Sequence, residues 1–385
     1  MKMTARSVLT CLVCAIAVAG LLVAPAQAGT KQFKLGVMGP MTGDQARWGL
    51  DLLHSSEIAA DELNAKGGVL GTKAVVVGED DQHNPKIGEA VAQKFVDDKE
   101  VMGVVGPYNS AVVLAITPIF EKAHLVHMGA SFSNPKITEQ GFKSVFRVNS
   151  RDDRQGPAGA EYVLKTLKAK KVTVLDDQTT FGKGVADEFV KALEAAGTKP
   201  ARSVIKQGDK DFRAVLGTIP KDTEAIYFGG YAPEAALLVR QMKELGLKAV
   251  FLGPDGLFEP EDYIKAAGGA ADGSIVTALA APPESVPAAK EYIKKYEAKH
   301  GTIGPYSLNA YDGANIIFAA IKRAGKLDRG AIMAEVAKTK DYKGISSGRP
   351  VTFDAKGDNV NAAVYVYKVA DGKFSLLSEI TFAKK

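Results

Sequence analysis

The chain has 385 residues, 46% hydrophobic and 24% charged, enough apolar material for two separate cores of roughly 100–200 residues each. Its formal charge of +5 is too small to drive attraction to a nucleic-acid backbone, so nucleic-acid binding is excluded. Only two cysteines occur. The first element is a leader: Lys2 and Arg6 precede an apolar run from Val8 to Val23 and the small-residue sequence Ala26-Gln27-Ala28, the pattern of a secretory signal peptide over residues 1–28, cut after Ala28. A retained anchor fits less well, because no charged stop follows the run. A lipoprotein is disfavoured because Cys11 and Cys14 lie early in the run and neither follows the small residue that lipid attachment prefers. Both cysteines leave with the leader, so the exported chain has no thiol, disulfide or thiolate metal site, and its stability must come from packing. With Lys2 and Arg6 removed, the formal charge falls from +5 to about +3. Lys168, Lys170 and Lys171 read as a solvated helix end. No second long apolar segment follows, and the exported chain is expected to be soluble.

Beyond the leader, Phe33 to Met38 reads as a short strand, Gly39-Pro40-Met41-Thr42-Gly43 as a turn, and the stretch ending at Asn64-Ala65-Lys66-Gly67-Gly68 as a long helix. Strand signals recur at Ala74 to Val77, Val101 to Val105, Leu125 to Gly129 and Val145 to Val148, with amphipathic helices at Pro85 to Val96 and Ser110 to Lys122. Strands alternating with helices imply a parallel sheet covered on both faces. A second series begins near Asn149: helix Asp153 to Lys168, strand Val172 to Leu175, helix Phe181 to Ala196, strand Arg202 to Lys206 and a helix from Asp211. It continues with strand Ala225 to Phe228, helix Pro233 to Leu245, and strands Ala249 to Leu252 and Ser274 to Ala278. Helices then follow without strands, at Ala288 to Lys299, Tyr306 to Arg323 and Asp328 to Lys338. The chain ends in an alternating run, Ala362 to Lys368, with a hairpin turn at Asp371-Gly372. Helices without strands are explained if the chain returns to finish its first lobe. The expected division is lobe I over 29–149 and 279–360, and lobe II over 150–278 and 361–385, with several connections acting as a hinge.

Polar groups therefore collect at strand tips, where open α/β sheets bind ligands. Val105-Gly106-Pro107-Tyr108-Asn109-Ser110 ends a strand and begins a helix, so free N–H groups and the positive end of a helix dipole meet there, and the Ser110 hydroxyl adds a donor for a carboxylate. The plainer reading is an ordinary N-cap. Gly129-Ala130-Ser131-Phe132-Ser133 follows the next strand; alone it reads as a serine-rich turn satisfying itself. Tyr231 follows Gly229-Gly230, and Asp255 follows Gly253-Pro254. A carboxylate inside a closing cleft needs a cation beside it, which a ligand ammonium supplies; the alternative is a solvated Pro-Asp-Gly turn.

The motifs Gly39-Pro40-Met41-Thr42-Gly43, Asp61-Glu62-Leu63-Asn64-Ala65-Lys66-Gly67-Gly68, Asp80-Asp81, Asp211-Phe212, Phe228-Gly229-Gly230-Tyr231 and Gly253-Pro254-Asp255-Gly256 occur in this order behind a leader. Together they resemble the leucine/isoleucine/valine-binding family of periplasmic receptors that feed ABC importers, over essentially the whole exported chain. The resemblance implies the type I periplasmic binding protein fold: two doubly wound, Rossmann-like α/β lobes joined by three hinge crossovers and closing on a ligand. It puts a carboxylate-binding serine at Ser110, gives the Ser133 hydroxyl to the ligand backbone and assigns the Ser131 carbonyl to the ammonium. Trp48 and Phe181 match positions that wall the side-chain pocket, and Tyr108 would make that wall markedly aromatic; ordinary core packing is the alternative for both. The family's leucine binders carry a glutamate where this chain has Asp255, so reach drops by one methylene.

Other chemistries find no support. The glycines from Gly36 to Gly43 do not have the G-x-G-x-x-G spacing, and no Walker loop, H-E-x-x-H or G-x-S-x-G is present. His124 and His127, read as lying on one strand, point to opposite faces. Glu79, Asp80 and Asp81 read as carboxylates serving the N–H groups of the next helix rather than a calcium site. The expectation is a periplasmic, monomeric receptor without cofactor, metal or catalytic residues. It captures leucine, isoleucine or valine for an inner-membrane ABC permease. Rival readings are the same fold binding an aromatic acid, amide or urea-like solute, and an exported enzyme, which lacks a paired nucleophile and base.

Overall fold

The structure, a computed structural model, describes residues 31–382; the leader expected over 1–28 lies outside the described residues. Five parallel strands, β1 (Gln32–Gly39), β2 (Lys73–Asp80), β3 (Val101–Val105), β4 (His127–Gly129) and β5 (Val145–Arg147), form one sheet in the order β2-β1-β3-β4-β5. A second sheet contains β6 (Val172–Asp176), β7 (Ala201–Val204), β8 (Ala225–Gly229), β9 (Val250–Gly253), β10 (Ile275–Ala278), β11 (Val364–Ala370) and β12 (Lys373–Ile380), in the order β12-β11-β10-β9-β8-β6-β7. There β11 runs antiparallel to β10, and β12 antiparallel to β11 across the turn at Asp371-Gly372. Strands β3, β6 and β8 are buried at every position, the pattern of strands covered on both faces. Strand order reverses between β1 and β3 and again between β6 and β8, so each sheet opens a crevice at those tips.

The helices Lys290–His300 and Ser307–Ala324 pack on the early helix Ala46–Ala65, and the second also lies over β3 and β4. The chain thus passes between the two bodies three times: after β5, after β10 and ahead of β11. A buried carboxylate explains the late return. Asp51 accepts hydrogen bonds from the Tyr296 hydroxyl (2.9 Å), the Tyr306 amide (3.2 Å) and the Ser307 hydroxyl, so a buried carboxyl in the first long helix takes these hydrogen bonds from residues far along the chain. Phe33 meets Phe318 edge-on at 6.0 Å between the same two parts of the chain, each ring adding roughly 1.5–3 kcal/mol through burial. Arg147 at the end of β5 is fully buried and donates to Asp358 at 2.6 Å, tying the first sheet to the segment that leads into β11.

Several local expectations need correction. The helix expected from Asp211 is only Arg213–Gly217, because Asp211 turns its carboxylate to the Arg213 amide. The helix after Asn149 is regular over Asp152–Glu161, then widens into i→i+5 turns over Tyr162–Leu167 and stops at Lys168 in the left-handed region (φ 55°). His124 sits in a left-handed turn (φ 51°), not on a strand, and His127 alone is on β4. The acidic residues after β2 do not cap the next helix. Asn84 does so, accepting from the amides of Lys86 and Ile87, while Asp80 accepts from the Met41 amide at 2.8 Å and braces the first glycine turn.

Candidate functional site

Tips from both sheets converge on a narrow pocket, with a cavity of only about 10 Å³, lined by Tyr108, Ser110, Ser131, Phe132, Ser133, Phe181, Tyr231 and Asp255. Seven of the eight residues singled out from the sequence line it. The exception is Trp48, which is buried one layer back, stacked on Tyr108 at 4.6 Å and 5.7 Å from Tyr231. It supports the aromatic wall without lining it. Phe181 completes the wall from the second body, 5.2 Å from Tyr231.

The first wall grows from the turn after β3. Gly106 has φ +99°, and a Cβ there would come within 2.1 Å of the Met38 carbonyl, so only glycine lets the chain bend over the tip of β1. The helix Ser110–Lys122 starts immediately after. Asn109 is its N-cap but makes no cap bond; its side-chain amide donates instead to Gln45 (2.9 Å) and to the Tyr231 hydroxyl across the cleft (3.2 Å). The ordinary-cap alternative thus fails, and the opening turn keeps N–H groups without a side-chain partner beside Ser110. Its hydroxyl accepts only a long contact of 3.4 Å from the Asn134 amide.

The serine loop after β4 is held from behind rather than by itself. Asn149 donates to the carbonyls of Ser131 (3.2 Å) and Phe132 (3.1 Å), and Arg147 donates to the carbonyl of Asn134 (3.1 Å). The Ser131 hydroxyl donates to the Tyr108 carbonyl at 3.2 Å, joining the two loops. The Ser133 hydroxyl has no protein partner. The turn therefore does not satisfy itself: Ser131 is engaged by the neighbouring loop and the Ser133 hydroxyl is free.

On the opposite wall, Asp255 opens the short turn Asp255–Leu257 after β9 and is 4% exposed, so it is not a solvated turn residue. A Cβ on the following Gly256 would lie 2.3 Å from the Gly230 carbonyl, which is how the β8 and β9 tips approach so closely. Oδ2 of Asp255 accepts from the Tyr306 hydroxyl, reached from the first body, whereas Oδ1 is buried without a partner. Burial pushes its carboxyl up to about 6, and the Tyr306 hydroxyl, the Gln155 side chain and the amides of Asp255 and Gly256 offset part of that rise, although none of them reaches Oδ1 in hydrogen-bond geometry. Further bonds span the cleft: Asn134 donates to the Thr180 carbonyl at 3.0 Å, and Arg47 pairs with the buried Glu259 at 3.0 Å.

Tyr306, Asn109, Gln45 and Asn149 were not found from the sequence. Tyr306 follows Gly304-Pro305 in the returning segment, and its position was marked only as a helix start. Asn109 lies inside the motif from Val105 to Ser110 and Asn149 opens the second series, but nothing in a single sequence distinguishes a bracing asparagine from a turn residue. The arrangement offers anion donors on one wall, a partnerless carboxylate oxygen on the other, and aromatic surface between. It contains no nucleophile paired with a base, and among the described residues no cluster of three or more His, Cys, Asp or Glu could hold a metal.

Residues 32–373 match the family model described as periplasmic binding protein. The chain is 33% identical over 341 residues to the Leu/Ile/Val-binding protein BraC3 of Rhizobium johnstonii, covering 88% of this chain and 92% of that one. Among solved structures, the leucine binding protein LivK of Thermotoga maritima superposes with a TM-score of 0.83 at 31% identity, covering 91% of this chain and 99% of LivK. The branched-chain amino acid transporter substrate binding protein LivJ of Streptococcus pneumoniae, in complex with isoleucine, superposes with a TM-score of 0.82 at 28% identity, over 91% of this chain and 99% of LivJ. The fold is thus shared with LivK and LivJ, and the chain belongs to the periplasmic binding protein family.

Proposed function

We propose that this protein is the periplasmic receptor of an ABC importer for a hydrophobic amino acid of the leucine, isoleucine and valine class, delivering it to the inner-membrane permease. The observation that carries this reading is Asp255. A carboxylate with one oxygen buried and unpartnered, lining one pocket with serines and a helix N-terminus, asks for a small ligand with a cation and an anion on neighbouring atoms. The carboxylate of an amino acid meets Ser110 and the amides of its helix. The ammonium meets Asp255 Oδ1 and Ser133, with the second lone pair of the Ser131 carbonyl in reach. The side chain lies against Tyr108, Phe181 and Tyr231, with Trp48 behind them. Lobe I over 29–149 and 279–360 and lobe II over 150–278 and 361–385 close about the three crossings, because the ligand binds the closed state better. The chemistry is capture and release by a monomer, with no bond made or broken.

The test is a thermal-shift panel at millimolar concentration. Leucine, isoleucine or valine is expected to raise the melting temperature. If all three and phenylalanine fail while coumarate or benzoate succeeds, the reading is wrong.

A further inference from the structure

Behind the serine loop lies a second buried carboxylate that the site described so far does not use. Asp152, the first residue of the helix Asp152–Glu161, is 0% exposed, and neither of its oxygens accepts a hydrogen bond from a described protein donor. Its amide donates to the Ser133 carbonyl at 3.0 Å, which fixes it against a cavity serine whose hydroxyl is also without a partner. A buried carboxylate without donors is costly, so its company decides what it is for.

The nearby cations are already committed. Arg147 donates through Nε to Asp358 at 2.6 Å and through Nη2 to Thr138 at 2.7 Å. Arg151 is divided among Asp358 (2.5 Å), Asp153 (2.7 Å) and Glu139 (3.1 Å). Asp358, Asp153 and Glu139 therefore neutralise both arginines, and Asp152 receives neither. What it does face is Asp255: burial first, and then the charge of Asp255, push the Asp152 carboxyl up, while the Ser133 hydroxyl and Arg147 pull it down. Ser133 lies close enough to favour the ionised form, although in this arrangement its hydroxyl is bonded to neither oxygen. Two carboxylates from separate segments thus repel each other, one lining the cavity and one behind Ser133, and among the described residues no lysine or arginine donates a hydrogen bond to either.

We propose that Asp152 is a positioning residue for the ligand's amino group: it accepts the Ser133 hydroxyl proton as a hydrogen bond, which turns the Ser133 lone pairs toward the ammonium, and it adds a second negative charge behind Asp255. The pocket then demands a cation on the α-carbon and rejects the same carboxylic acid without one. This inference rests on the amino-acid reading above and extends it to the discrimination between amino acids and their desamino counterparts.

The test is calorimetry on the exported chain with L-leucine, L-isoleucine and L-valine, each beside its desamino acid, 4-methylpentanoate, 3-methylpentanoate and 3-methylbutanoate. Asp152→Asn is expected to weaken the amino acid about tenfold or more and to leave the desamino acid unchanged or tighter. Asp152→Glu is expected to restore part of the preference. Ser133→Ala is expected to cost less in the Asp152→Asn background than alone, because the two act through one contact. Circular-dichroism melting of each variant establishes that it is folded. If wild-type protein binds none of the three amino acids, the proposed function fails and this inference with it. If wild-type protein binds one, but Asp152→Asn keeps the wild-type ratio or weakens both ligands equally, the inference alone is overturned. Additive costs of the two substitutions would also overturn it.

Discussion

Replacing Asp255 by asparagine should move ligand-free stability and ligand affinity in opposite directions. Burial has pushed its carboxyl from 3.8 up to about 6 in the closed arrangement. At pH 7.5 the ionised form is therefore disfavoured by roughly 3 kcal/mol net, burial outweighing the hydrogen bonds it accepts. Asparagine keeps an acceptor for the Tyr306 hydroxyl and removes the charge, so the ligand-free protein should close more readily and melt higher. The amino acid, by contrast, loses a charge-assisted hydrogen bond to its ammonium, about 1.5–3 kcal/mol, or about 10- to 150-fold in Kd. Differential scanning calorimetry without ligand and isothermal titration with L-leucine measure the two halves. A lower ligand-free melting temperature together with unchanged leucine affinity would refute the claim that Asp255 is held unpaired for a ligand.

The same carboxyl predicts a pH dependence. Its proton is bound in the free closed protein below about 6 and must leave when an ammonium arrives, so leucine Kd should be flat above that pH and rise about tenfold per unit below it. Tyr306→Phe, which removes a donor to the ionised form, should move the break to higher pH, and Asp255→Asn should abolish it; titrations from pH 4.5 to 8 decide. Asp358→Asn leaves the fully buried Arg147 without its anion and should cost about 3–5 kcal/mol in urea denaturation; a loss under 1 kcal/mol would mean that the carbonyls around Arg147 suffice. Trp48, the only tryptophan, touches Tyr108 in its own body and Tyr231 across the cleft. Its fluorescence should therefore respond to saturating leucine in wild-type protein and respond less in Tyr231→Ala.

Alternation of strand and helix made the two parallel sheets legible, because strands covered on both faces read as short apolar runs and their helices as amphipathic stretches. The helix Ser110–Lys122 was bounded correctly from sequence, since Gly106-Pro107 and the polar Asn109 mark its start. The walls of the cavity were legible for a similar reason: residues after glycine turns at strand ends have few places to go. Less legible were contacts made by long-range return. Nothing near Tyr306 says that its hydroxyl will land on Asp255, and nothing near Asp152 says that Asp358 will claim both neighbouring arginines. The family resemblance put Trp48 in the wall itself rather than one layer behind it, because an aromatic residue at the start of a helix looks the same whether it faces a cavity or the ring in front of it.

The dependence of Asp51 on Tyr296, Tyr306 and Ser307 links partners 245, 255 and 256 positions apart. A polypeptide threading through a translocation channel amino end first cannot settle that charge until its last third has emerged. Contacts of such separation slow folding and keep the early portion pliable. Any product truncated before Tyr296 would leave the aspartate stranded, and with it a half-built domain open to proteases.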